Sequence, residues 1–211
     1  MKTILFCAAI STLVGTSLIC ACNSKSSTDM PDKSAARKTE ATVQYGGFPN
    51  QVEWGKHLVA MGGCSDCHTP KSMTGAGLMP DTSMFLAGHP ANVPPPDVDR
   101  KELEKKGLAL TNDLTTWVGP WGISYSANLT PSESGIGNWN EGEFLNVFKN
   151  GKFNGLQASR NLLPPMDGVA QGLRHAASDN ELKAMFAYLK TLKPVNNAVP
   201  TPVPPENLAR K

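Results

Sequence analysis

The sequence predicts a mainly α fold from three observations. Apolar residues recur at helical spacing in three stretches: Gln51 to Met61, the run between Asn140 and Gly151, and the run that follows Ser178. Glycine and proline are abundant, at 19 and 17 residues, so much of the remaining chain reads as loop. Five residues, Cys64-Ser65-Asp66-Cys67-His68, bring two thiols and an imidazole together, and a loop-rich fold is well served by a bound group at its centre. At 211 residues there is length for one sizeable core, in one domain or two small ones.

Residues 1–21 read as an export signal. Lys2 is the only charge, an apolar run extends from Ile4 to about Ile19, and small residues follow. Ile19-Cys20-Ala21-Cys22 resembles a bacterial lipobox, in which Cys22 becomes the lipid-modified first residue. The expectation is an exported bacterial lipoprotein held by Cys22 on the periplasmic face of a membrane. An ordinary signal peptide or a short membrane anchor is the competing reading. Losing this segment removes one lysine and no acid from a chain of net charge +2, so the mature charge is close to zero and points to no nucleic-acid partner.

Residues 22–50 are rich in Ser, Thr, Ala, Lys and Asp without apolar periodicity, as a disordered tether would be. Such a segment spans on the order of 30 Å r.m.s.. The first helix is expected over Gln51 to Met61, where Trp54, Leu58 and Met61 share a face with Gly55 and Val59 beside them, and it runs directly into Gly62-Gly63-Cys64.

Two thiols followed at once by an imidazole are what covalent attachment of haem requires. The cysteines form thioethers to the vinyl groups and the histidine supplies an axial nitrogen to iron. The other readings of the cysteine pair are a zinc knuckle, a redox pair and a plain disulfide. A closed zinc site normally needs four protein ligands, and no cysteine follows Cys22 except this pair; a redox pair needs a βαβ context that is not apparent. One covalent haem c, with its iron, is the expected cofactor, since no second such motif appears.

Residues 69–127 are expected as one long proline- and glycine-rich loop. The charged run from Asp97 to Lys106 reads as a solvated helical turn or loop, and Trp117 and Trp121 as packing residues. The middle helix has Asn140 as N-cap, Glu141 and Glu143 in its first turn, and Gly151 at its end. In Leu162-Leu163-Pro164-Pro165-Met166 the prolines forbid helix, so Met166 is expected on a stiffened, extended loop. Ser178 and Glu181 form a capping-box pattern. Leu182, Met185, Phe186, Leu189 and Leu192 follow at helical spacing, Lys190 and Lys193 sit at the negative end, and Pro194 terminates the helix. Residues 195–211 form a proline-rich tail that lies on the surface or floats.

A helix leading into this Cys-Cys-His motif resembles the start of the small His/Met cytochrome c domains, and Met185-Phe186-Ala187-Tyr188-Leu189-Lys190 resembles their last helix. Ser126 to Pro131, followed by Gly135-Ile136-Gly137-Asn138-Trp139, is similar to a signature of cytochrome c subunits that accompany quinoprotein dehydrogenases. The resemblance implies a cytochrome c fold over residues 51–194, with the 69–127 loop as an insertion and the first and last helices crossing at Gly55, opposite Met185 and Tyr188. It also implies that Trp139 lies near the haem propionates and that a proline carbonyl, here that of Pro80, holds the His68 ring.

The resemblance places the sixth iron ligand in the second half of the chain, which disfavours Met73, Met79 and Met84. Met61 lies on the first helix, Met30 in the tether, and Met185 on an apolar stripe. Met166 is therefore the expected ligand beside His68, and His89, in Gly88-His89-Pro90, is its rival. The function expected is a membrane-tethered electron carrier rather than an enzyme. Its partners would be redox proteins, such as a periplasmic dehydrogenase or a terminal oxidase. A haem enzyme, or a protein responding to peroxide or a diatomic gas through a labile sixth ligand, is the alternative.

Overall fold

The computed structural model describes residues 45–205; the signal segment, Cys22 and most of the tether lie outside the described residues. Helix α1 (Gln51–Met61) starts where Asn50 accepts the Glu53 N–H at 3.0 Å. It runs into the short helix α2 (Cys64–His68). Helix α4 (Glu141–Asn150) carries the expected cap at Asn140, made reciprocal by Glu143, and ends at Gly151 with φ 63°. Helix α6 (Asp179–Leu189) is opened by the Ser178–Glu181 capping box.

Helices α1 and α6 cross at Gly55. A Cβ there would stand 1.8 Å from the Ala184 carbonyl oxygen and 3.0 Å from Tyr188 Cβ, so only glycine admits the approach. Tyr188 meets this glycine as expected, with Ala184, one helical turn earlier, closer still. One residue on, Met185 is rotated by about 100° and is buried in the core with Phe144, Phe148, Leu182 and Phe186.

Strands appear where loop was expected, so the fold is mixed α and β rather than mainly α. Strands β1 (Lys71–Thr74) and β2 (Gly77–Pro80) pair antiparallel around Gly75-Ala76. Helix α3 (Arg100–Lys106) occupies the charged run, capped by Asp99. Strands β3 (Thr116–Gly119) and β4 (Gly122–Tyr125) pair around Pro120-Trp121, with Leu110 bridging to Val118 on one side and Val203 to Ile123 on the other. Each strand is only four residues long, too short for alternation to stand out among so many glycines and prolines.

Two further differences follow from local chemistry. Helix α5 (Met166–Ala176) begins immediately after Pro165, where a loop was expected; proline disfavours helix for the residue before it, not for the one after. Helix α6 ends at Leu189 instead of reaching Pro194: beyond Lys190 the backbone tightens into turns, with Thr191 N–H on Tyr188 O at 2.8 Å and Leu192 N–H on Leu189 O at 3.3 Å, and the Lys190 ammonium donates to the carbonyls of Ile136 at 3.2 Å and Gly137 at 2.5 Å. The segment after Pro194 is built into the body: Asn197 is buried, donates to the carbonyls of Ala87 and His89, and accepts the Ala91 N–H. No helix among the described residues is long and apolar enough to cross a membrane.

Candidate functional site

Backbone pairing fixes His68 first. Its carbonyl accepts the Gly88 N–H at 2.8 Å, while the Thr69 hydroxyl oxygen accepts the Leu86 N–H at 3.0 Å. The segment 86–89 then pairs with 126–129 through Leu129 N–H to Leu86 O and His89 N–H to Ser126 O, both 2.9 Å. This brings the Ala127 carbonyl oxygen to 2.7 Å from His68 Nδ1.

A carbonyl can only accept, so Nδ1 carries the proton. Burial pushes the His68 pKa below its ordinary value, against the opposing pull of that carbonyl, and the neutral ring keeps its lone pair on Nε2. Among the described residues Nε2 has no hydrogen-bond partner.

The carbonyl expected from Pro80 is thus supplied by Ala127. Pro80 pairs with Lys71 in the exposed β1–β2 hairpin, and the chain has not yet returned to α2 at that point; it returns at 86–89 and 126–129. Nothing short of the long-range pairing identifies Ala127 in the sequence, because the acting group is backbone.

His68 lines a cavity of about 180 Å³ that opens to solvent at its mouth. Gly62, Gly63, Cys64 and Cys67 contribute from α2 and its approach. Phe144, Phe148, Ile136 and Leu189 contribute from the core, Leu162 to Met166 from the start of α5, and Trp139 from the loop before α4. The 69–127 region supplies Trp117, expected as a packing residue, together with Ser124, Tyr125, Ser126 and Ala127. Five of the expected site residues, Cys64, Cys67, His68, Trp139 and Met166, therefore meet in one space, and Pro80 does not.

Cys64 and Cys67 are not bridged to one another. Burial raises the Cys64 pKa to about 11 and also raises that of Cys67, where the neighbouring Lys71 ammonium opposes the shift. Lys71 joins α2 to the 69–127 region by donating to the carbonyls of Asp66, Thr69 and Asp113. Arg160 is the one charged side chain on the cavity lining; its guanidinium stacks 3.9 Å over Phe153.

Two thioethers reach the cavity. Met185 is packed into the core, whereas Met166 is half-buried at the first position of α5. His89 is not on the lining. It is buried, with Nδ1 at 2.7 Å from the Thr116 hydroxyl and Nε2 donating to the Val93 carbonyl at 2.9 Å, so neither ring nitrogen is available to a ligand. His57 stacks on Phe48 and His175 sits in the last turn of α5. Trp117 lines the cavity as a packing residue, while Trp121 covers Gly119 and donates to Ser124.

The donor set is two thiols three residues apart, one imidazole nitrogen with its partner nitrogen tied, and a thioether, in apolar walls with a single cation. That chemistry fits a large apolar iron macrocycle with an anionic edge. A closed zinc site fits poorly, since no three of His, Cys, Asp and Glu gather among the described residues. No protein-family model matches the chain, and no curated protein matches its sequence.

Proposed function

We propose that the chain is a single-haem c-type cytochrome that carries electrons one at a time, held outside the cytoplasm by lipid on Cys22. The observation that carries this reading is the convergence of Cys64, Cys67, His68 and Met166 on one apolar cavity, with His68 Nδ1 already committed to Ala127. The crossing of α1 and α6 at Gly55 supports a cytochrome c fold with residues 69–127 as an insertion.

In this reading Cys64 and Cys67 attach haem c through thioethers, and His68 and Met166 hold its iron. Bound there, the group supplies reversible one-electron chemistry. The protein's part is to orient and exclude. Ala127 fixes the ring tautomer that leaves Nε2 for the metal. The apolar walls limit water and, with thioether ligation, favour the less charged reduced state. Arg160 answers the anionic edge, and Trp139 packs beside the group, as the family resemblance implies. Redox proteins on the same side of the membrane, a dehydrogenase among them, would be donor and acceptor.

The test is the absorption spectrum of residues 23–211 matured with haem, in both oxidation states, with carbon monoxide added to the reduced form. A low-spin spectrum with the weak far-red methionine–iron(III) band is expected, with carbon monoxide displacing the methionine only weakly and at high concentration. Met166→Ala should abolish the band and Met185→Leu should keep it. Failure of the Cys64–Cys67 pair to attach haem would overturn the reading, and a high-spin, carbon monoxide-binding wild type would move it to an open-site haem protein.

A further inference from the structure

The segment Leu163–Met166 is short of hydrogen-bond donors, because Pro164 and Pro165 have no N–H. Its carbonyls must do the anchoring. The Leu163 oxygen accepts from Asp167 N–H, and the Pro165 oxygen accepts from Gly168 and Val169 N–H, all within the first turn of α5. The Pro164 oxygen is different: it accepts the Ser124 hydroxyl at 2.6 Å, across 40 residues of sequence. Among the described residues this is the one tertiary hydrogen bond that reaches the segment.

The direction of that bond is set by its neighbour. Trp121 Nε1, which can only donate, points its proton at Ser124 Oγ from 3.1 Å, so the serine proton goes to Pro164. Ser124 is buried at 7% exposure, and it lies on a braced strand. It stands opposite Trp117 in the β3–β4 pair, and the adjoining Ile123 exchanges hydrogen bonds of 2.8 and 3.0 Å with Val203. A rigid hairpin thus grips, through one oriented hydroxyl, a segment whose next residue but one is Met166.

We infer that Ser124 is a positioning residue for Met166, and that the 69–127 region serves to hold the methionine loop closed over the cavity. The inference rests on the haem reading above. Ser124 touches neither the iron nor its ligands; it acts through the Pro164 backbone. Removing its hydroxyl leaves the Pro164 oxygen and the Trp121 N–H without partners, so the loop opens more often and Met166 yields its place more readily.

The experiment is a carbon monoxide titration of the ferrous, haem-loaded full domain for wild type, Ser124→Ala, Ser124→Thr and Trp121→Phe, with the far-red band of the ferric forms recorded alongside. Ser124→Ala should raise carbon monoxide affinity by about tenfold, the weight of one lost buried hydrogen bond, and weaken the ferric band. Ser124→Thr, which keeps a hydroxyl, should return both towards wild type. Trp121→Phe, which frees the hydroxyl to rotate while keeping an aromatic ring over Gly119, should give a smaller rise in the same direction and keeps the test open if Ser124→Ala does not mature. A methionine-ligated wild type whose affinity is unchanged in the serine and tryptophan variants overturns the positioning role alone. A wild type that attaches no haem overturns this role together with the function it rests on.

Discussion

His68 and Ala127, 59 positions apart, share a 2.7 Å hydrogen bond from the Nδ1 proton to the carbonyl oxygen, and the ring is buried and neutral. In the haem-free chain its pKa is depressed below the ordinary 6.5. The unfolded chain therefore binds a proton that the folded chain refuses. The stability this contributes is complete above about pH 6.5 and is lost as the pH falls towards the folded value. Thermal unfolding of the haem-free chain should shift to lower temperature on acidification below that point, and His68→Gln should flatten that part of the profile. Equal slopes in both proteins would exclude His68 as the source.

Cys64 and Cys67 should label differently. With its pKa at about 11 against an ordinary 9.0, Cys64 holds about a hundredfold less thiolate at pH 8 than an unperturbed thiol. Its alkylation by iodoacetamide, followed peptide by peptide by mass spectrometry, should still be rising at pH 10, where an ordinary cysteine has levelled off. Lys71→Met should slow Cys67 at fixed pH, since the lysine charge favours its thiolate. A Cys64 profile that has levelled off by pH 10 would contradict the burial argument.

Gly55→Ala and Gly172→Ala should move stability in opposite directions. The first drives a methyl group to 1.8 Å from the Ala184 oxygen and forces α1 and α6 apart, at a cost of about 3 kcal/mol or more. The second adds a methyl group on the exposed side of α5 with nothing within 4 Å, and should stabilise by about 0.5–1 kcal/mol. Denaturant unfolding of the two variants measures both signs.

His89→Ala should unfold the protein more readily without altering the iron ligands of the haem-loaded form. It strips partners from the Thr116 hydroxyl and the Val93 carbonyl and removes the ring that stacks 5.0 Å from Tyr125, at a cost of about 2–4 kcal/mol. The far-red band in a folded His89→Ala protein should be that of the wild type. Loss of the band would reinstate His89 as a ligand.

The parts of this molecule that local chemistry dictates were legible in its sequence. The caps at Asn140 and Ser178, the helix breaker Gly151, and the close approach at Gly55 all act within a few residues or through a missing side chain, and each stands where its residue type implied. The residues carrying thiol, imidazole and thioether chemistry could be named because few other residue types supply it. What stayed hidden depends on distant backbone: the Ala127 carbonyl at His68, the Ser124 hydroxyl at Pro164 and the lysine ammonium at Gly137 are set by tertiary pairing, not by spacing. Helix α5 was hidden for another reason. Two prolines ahead of it read as an end to helix when they stand at its beginning.

The bridge between Ile123 and Val203 also bears on how the chain assembles. Strand β4 is made well before its outer neighbour, and until residues 195–203 arrive its edge presents unpaired amides and carbonyls beside Trp117 and Tyr125. Asn197 likewise ties down 87–91 only after more than 100 further residues have been added. A chain cut short of residue 195 would lose both ties at once, leaving the edge of β4 and the 87–91 segment exposed, so the last residues of the described chain close the wall of the cavity.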